Sequence, residues 1–149
     1  MGLDMYLNGR IYVGANYEHN NVTGSVNLKR NNQEIDIPLD KVVSVELDLG
    51  YWRKANAIHK YFIDNCADGN DDCSKVIIER SDLENLLNLC KKVSSHPFLA
   101  EELLPTQSGF FFGSTEYDDY YLDCIKGTIQ IIENALKYKN VDYVYSASW

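Results

Sequence analysis

The chain has 149 residues, of which 45% are hydrophobic and 12% aromatic. That is too apolar for a disordered chain, and no stretch approaches the ~18 consecutive apolar residues of a membrane span. Fourteen Lys and Arg against 22 Asp and Glu leave a net charge of −8, which argues against duplex nucleic acid as a partner.

The first fifty residues read as β structure. Leu3, Met5 and Leu7 alternate with Asp4, Tyr6 and Asn8, Gly9 and Gly14 bracket residues 10–13, and residues 22–28 alternate again up to the turn at Asn31 and Asn32. Ile35 and Ile37 return from that turn as a hairpin. After Pro38, Val43, Val45, Leu47 and Leu49 alternate with polar partners, the pattern of a strand with one wet face.

At Tyr51 the period changes. Trp52, Ala55, His59, Phe62 and Cys66 step by 3 and 4, which predicts an amphipathic helix over residues 51–66. An acidic turn at 67–72 follows; its Gly69 is out of register for a calcium hand, so it is read as solvated. Residues 75–80 form a short strand, residues 81–84 (SDLE) a capping box, and Leu83, Leu86, Leu87, Cys90 and Val93 the helix face behind it. Pro97 opens a short helix that Pro105 ends. A long helix begins near Thr115 on the stripe Leu122, Ile125, Ile129, Ile132 and Leu136, closes at Asn140, and leads into a terminal strand that places Val141, Tyr143, Tyr145, Ala147 and Trp149 on one face. The expectation is a single α+β domain over residues 1–149, a largely antiparallel sheet packed with three to four helices.

Cys66, Cys73, Cys90 and Cys124 lack CxxC spacing and the three histidines are scattered, so the cysteines read as packing residues or free thiols rather than metal ligands. With no targeting signal at the start, the expected compartment is the cytoplasm. P-loop, dinucleotide, zinc-protease and serine-elbow motifs are absent, and no cofactor, metal or catalytic residue is assigned.

Two stretches stand out. Residues 104–117 (LPTQSGFFFGSTEY) set two glycines around three phenylalanines, flanked by uncharged hydrogen-bonding side chains. This reads either as a buried strand between two turns or as a ligand loop in which Gly109 and Gly113 admit close approach and Thr106, Gln107, Ser108, Ser114, Thr115 and Tyr117 orient a ligand. On the first helix, Arg53, Asn56 and Lys60 share a stripe beside Trp52 and His59, a set that could hold a phosphate and stack a base. The bland alternative is a solvated cationic face beside a buried Trp, with His59 a satisfied core histidine.

Residues 1–7 (MGLDMYL), 51–60 (YWRKANAIHK) and 103–118 (LLPTQSGFFFGSTEYD) together resemble a family of small proteins encoded by bacteriophages and prophages. The resemblance spans nearly the whole chain, least well over residues 14–39, and implies a phage setting rather than a reaction. By analogy of gene context, such accessory proteins act on host machinery or host defence. The leading expectation is a non-enzymatic binder that sequesters a nucleotide immune signal, such as a cyclic oligonucleotide or an ADP-ribose derivative, with Arg53 and Lys60 on phosphate and Trp52 or Tyr117 on the base. The alternatives are an acidic inhibitor that docks on a basic host protein, and a small nucleotide-cleaving enzyme using His59. Self-association into a homo-oligomer is left open.

Overall fold

A computed structural model describes residues 2–14 and 19–149; Met1 of the opening block lies outside them. The elements are β1 (Asp4–Tyr12), β2 (Val26–Arg30), β3 (Gln33–Ile37), β4 (Ser44–Arg53), α1 (Asn56–Cys66), β5 (Val76–Ile78), α2 (Arg80–Ser95), α3 (Ala100–Leu103), α4 (Asp119–Ala135) and β6 (Asp142–Ser148). Short 3-10 turns occupy Leu39–Lys41 and Pro97–Leu99. Together they form a single α+β domain. A four-stranded antiparallel sheet has the order β4-β1-β6-β5, and β2 and β3 form a separate hairpin.

Period-2 alternation dictates which side of the sheet is covered. Met5 and Leu7 of β1, Tyr143, Tyr145 and Ala147 of β6, Ile78 of β5 and Trp52 of β4 are buried in one core with Phe62 of α1, Leu86 of α2 and Ile125 and Ile132 of α4. Tyr6, Tyr12, Tyr51 and Ile77 stand on the opposite face, which stays exposed. At Gly50 the α4 helix closes on the sheet so tightly that a Cβ would overlap Ile131 Cγ2, an overlap that a stiff β-branched neighbour cannot relieve cheaply.

The hairpin turn behaves as its sequence dictates: Asn31 and Asn32 both take positive φ, 52° and 62°, as a two-residue type I′ connection requires.

Several boundaries differ from the sequence expectation. The helix expected over 51–66 starts only at Asn56, because the alternation of β4 continues through Tyr51, Trp52 and Arg53. The 3-residue step from Trp52 to Ala55 is a coincidence of spacing across a strand end. The capping box is formed by Glu79 and Asp82 rather than by residues 81–84: Glu79 N–H donates to Asp82 Oδ2 at 3.0 Å. The strand before it is only Val76–Ile78.

The last helix starts at Asp119, capped by Asp118, whose Oδ1 accepts from Tyr121 N–H at 3.0 Å. Thr115, where the helix was expected to begin, lies in the preceding loop, and its carbonyl accepts from Thr106 Oγ1 at 2.9 Å. That helix ends at Ala135, and Asn140 instead takes φ 59° just before β6. Its buried ridge is Tyr121, Ile125, Thr128, Ile132 and Ala135, while Leu122, Ile129 and Leu136 are half-buried. Among the described residues no helix is long and apolar enough to cross a membrane.

Candidate functional site

The loop over residues 104–118 is not a strand, and apart from Leu104 and Phe112 none of it is buried. Phe112 N–H donates back to Gly109 O at 3.2 Å, closing a turn that leaves Phe110 94% exposed and buries Phe112. Gly109 is required there, since a Cβ would come 2.5 Å from Phe112 Cγ.

One side chain fixes this loop. Asn56, in the first turn of α1, is buried. Its Nδ2 donates to Phe112 O at 3.0 Å and Ser114 O at 2.8 Å, and its Oδ1 accepts from Gln107 N–H at 3.1 Å. An amide carries two donors and an acceptor that can take more than one bond; three of those capacities are used on backbone groups that no strand or helix would otherwise pair. The loop closes outside this pin through Thr106, whose N–H donates to Tyr117 Oη at 3.2 Å. Glu116 N–H donates to Ser114 Oγ at 3.0 Å.

Beneath the loop lies a buried polar chain. His59 has no solvent exposure; its Nδ1 lies 2.7 Å from Tyr145 Oη and its Nε2 3.0 Å from Asp71 Oδ2. Asp71 comes from the acidic turn after α1, where Asp68 and Gly69 take φ 52° and 77° and turn the chain back toward the helix. Asp71 Oδ1 also accepts from Trp149 Nε1–H at 3.2 Å. A carboxylate only accepts, so Nε2 carries a proton toward Asp71. In the neutral ring Nδ1 then accepts from the Tyr145 hydroxyl. Burial pushes the Tyr145 phenol above its ordinary value, which keeps that donor protonated. The Phe112 ring closes the remaining side of the imidazole edge-on, 5.2 Å between centroids.

Below Trp149 the chain reaches the surface at Asp71, whose side chain is 21% exposed. It opens into a cleft of about 270 Å³ lined by Gln107, Ser108, Gly109, Phe110, Phe111, Phe112 and Trp149. Trp149, 48% exposed, stands across the mouth, edge-on to Phe112 at 6.0 Å. The volume lies just under the ~300–1,000 Å³ of ordinary ligand sites, enough for one planar ring system.

Cationic groups sit beyond the phenylalanine rim. Leu3 N–H donates to Phe111 O at 3.1 Å, and Lys54 N–H donates to Leu3 O at 2.8 Å, so Lys54, just after β4, is laced to the loop through Leu3, just before β1. Lys54 adopts φ 53°, a left-handed conformation that costs a residue with a Cβ about 1–2 kcal/mol. Its side chain lies against Gly113, itself at φ 86°, where a Cβ would come 3.2 Å from Lys54 Cβ. Arg53 pairs in register with Asp4, and Asp4 with Ser148. Strands lie about 4.8 Å apart, so the Arg53 backbone stands roughly 10 Å from that of Ser148, with the Arg53 side chain on the helix-free face shared by Asp4 and Tyr51. Arg53 and Lys54 are exposed, and among the described residues neither belongs to an ion pair.

Comparison of the chain with protein-family models, with curated proteins and with solved structures finds no match.

Of the thirteen residues singled out from sequence, the fold brings Asn56, His59, Thr106, Gln107, Ser108, Gly109, Gly113, Ser114, Thr115 and Tyr117 into one region. Their roles differ from those expected. Gln107, Ser108 and Gly109 line the cleft, whereas Asn56, His59 and Thr106 hold its walls. Trp52 is not available for stacking: it is 5% exposed, and its Nε1–H donates to Thr128 Oγ1 at 2.9 Å inside the core. Arg53 does not share a helical stripe with Asn56 and Lys60, because it belongs to β4. Lys60 pairs with Asp64 at 2.7 Å and faces a separate depression beside Leu103, Leu104 and Pro105. Tyr117 is turned against Tyr121, with ring centroids 5.0 Å apart.

Sequence reasoning missed Asp71, Tyr145, Trp149 and Lys54 as parts of the site. Asp71 lies in a run of acids that local pattern reads as solvent. The phase shared by Tyr145 and Trp149 along β6 was legible, but its meeting with α1 is a tertiary event. Among the described residues no group of three or more His, Cys, Asp and Glu side chains is placed to hold a metal ion.

Proposed function

We propose that the protein is a non-enzymatic binder of a nucleotide, which in the phage setting implied by the sequence resemblance sequesters a nucleotide immune signal. The observation that carries this reading is the aromatic cleft over Asp71. Phe110 and Trp149 keep large apolar rings in water around a fixed carboxylate, and aromatic walls with a few convergent polar groups are what a planar heterocycle requires. The base enters between Trp149 and the phenylalanines, and its phosphate points away from Asp71 toward Lys54, whose side chain lies against Gly113. That separation resolves a conflict, since a phosphate beside the carboxylate would be repelled. His59 supports binding rather than cleavage: with no exposure, it cannot touch a scissile bond.

Trp149 supplies the readout. Titration with mononucleotides and cyclic oligonucleotides quenches its fluorescence, with binding at micromolar concentration or tighter. Trp149→Ala and Phe110→Ala abolish binding without unfolding the domain, because both rings are exposed. The ligand is recovered chemically unchanged after the protein is denatured. Flat titrations across these ligands, confirmed by calorimetry, would sink the reading.

A second reading, an acidic inhibitor of a basic host protein, is favoured by the helix-free face of the sheet. There Tyr6, Tyr12 and Tyr51 stand among Asp4, Glu46, Asp48 and Asp142, with Arg10 engaged by Glu46 at 2.7 Å. Loss of a purified stoichiometric complex in a Tyr6→Ala, Tyr12→Ala double variant, with the cleft intact, supports this alternative.

A further inference from the structure

The lone pairs of Asp71 choose among the bases. Each carboxylate oxygen can accept two hydrogen bonds. His59 takes one position on Oδ2 and Trp149 one on Oδ1. Among the described residues these are its hydrogen-bond donors, so one acceptor position is left on each oxygen; the Asp71 side chain is 21% exposed and lines the cleft. The two occupied positions matter as much as the two open ones. Two donors on different elements, one in α1 and one at the end of β6, hold the carboxylate plane, so it need not be ordered when a ligand arrives. The lining includes no Lys or Arg, and its further polar side chains are Gln107 and Ser108.

We infer that Asp71 makes this cleft selective for guanine, whose adjacent N1–H and 2-amino donors match the two open acceptor positions of the carboxylate. Guanine also offers acceptors at O6 and N7 within the same plane, complementary to the Gln107 amide and the Ser108 hydroxyl. The other bases fail on the same count. Adenine and cytosine each set a ring nitrogen acceptor beside their amino donor, directing a lone pair at a carboxylate oxygen. Uracil has one N–H between two carbonyls. Hypoxanthine keeps N1–H and lacks the amino group, so it retains half of the pairing. A matched bidentate pair discriminates by about 1–3 kcal/mol, which corresponds to roughly 5–150-fold in affinity.

This inference rests on the nucleotide-binding reading, and the experiment separates the two. The intact protein is titrated with GMP, IMP, AMP, CMP and UMP, which share one phosphate and differ in the base, using both Trp149 fluorescence and calorimetry. The expected order is GMP, then IMP, then the other three, with GMP at least fivefold tighter than AMP. Equal affinities, or AMP binding as tightly as GMP, overturn guanine selection and leave the nucleotide-binding reading standing. Absence of binding by all five overturns selection by this cleft. A change of ligand rather than of residue 71 makes the comparison independent of folding. Asp71→Asn is the second arm: an amide presents one donor and one acceptor, so GMP weakens at least fivefold while AMP does not. Circular dichroism of the variant verifies its fold, and retention of the GMP preference in a folded Asp71→Asn protein refutes the role of the carboxylate.

Discussion

Asn56 Nδ2 donates to the carbonyl oxygen of Phe112 at 3.0 Å, joining the first turn of α1 to a loop 56 residues further along the chain. Because the same side chain also bonds Ser114 O and Gln107 N, truncation strands three backbone groups at once. An unsatisfied buried group costs about 1–3 kcal/mol, and water entering the vacated space recovers part of that. Asn56→Ala is expected to lose about 2–4 kcal/mol in urea unfolding. Limited proteolysis should then cut within residues 106–116 before any other site. Cleavage elsewhere first would mean that the loop is held by its own turns.

The hydroxyl of Tyr145 is the partner of His59 Nδ1, at 2.7 Å, in a site without solvent. Tyr145→Phe keeps the ring that stacks on Phe62 at 4.3 Å and deletes only the donor. The expected loss is about 1–3 kcal/mol, the cost of one buried unpaired nitrogen. Nitrogen NMR of labelled histidine provides a second measurement. In the parent protein His59 is held with its proton on Nε2; in the variant the second nitrogen loses its hydrogen-bonded shift. An unchanged spectrum would show that the phenol does not set the tautomer.

Much of the scaffold could be read directly from periodicity. The alternations of Leu3, Met5 and Leu7 and of Tyr143, Tyr145 and Ala147 mark buried strand faces because a strand repeats every two residues, and the Asn31–Asn32 turn announces the hairpin. What local pattern could not settle was where one period gives way to another. Trp52 fits both the strand behind it and the helix ahead of it, and only the left-handed Lys54 separates them. The Gly-Phe loop was recognisable as unusual from composition, but not which phenylalanine turns inward. The acidic turn was the largest loss. Asp71 and Asp72 are neighbours of identical type, yet Asp72 bonds Ser74 N–H within the turn at 2.9 Å while Asp71 meets His59 and Trp149 from distant elements. Nothing within a few residues of either distinguishes them.

The four thiols should react at very different rates. Cys73 is exposed, Cys66 and Cys124 are half-buried, and Cys90 is fully buried. Burial pushes the Cys90 thiol up to about 12, and burial with the Asp82 charge does the same to Cys66. At pH 8 the thiolate fraction of such a group is on the order of one in ten thousand, and the thiolate is the nucleophile. A maleimide pulse on the folded protein is expected to modify Cys73 first, as read by mass spectrometry, and Cys90 only after denaturant is added. Fast labelling of Cys90 under native conditions would contradict the packing of α2.

Stability should fail on the alkaline side, and the direction follows from the buried phenols and thiols. Burial raises Tyr145, Tyr121 and Tyr61 above their ordinary value of 10.0, and Cys66 and Cys90 from 9.0 up to about 12. Two of those phenols donate to backbone carbonyls, Tyr121 to Leu104 and Tyr61 to Asp82, both at 2.8 Å, and ionisation would remove the donated proton. Each group is neutral when protonated. Below pH 9 folded and unfolded chains alike keep these protons, so the groups add no slope. Above pH 9 the unfolded chain releases thiol protons, and above 10 phenol protons, while the folded chain retains them. The native state then binds more protons than the unfolded one, and unfolding free energy falls as pH rises. Urea midpoints measured at successive pH values should therefore drop from pH 9 upward, with the decline steepening past 10 as the phenols join the thiols. Tyr145→Phe removes one of the contributors, so its curve should fall less steeply above pH 10 than that of the parent protein. Parallel curves for the two proteins in that range would show that Tyr145 does not ionise on unfolding there, and with it the argument that burial holds its proton would fail.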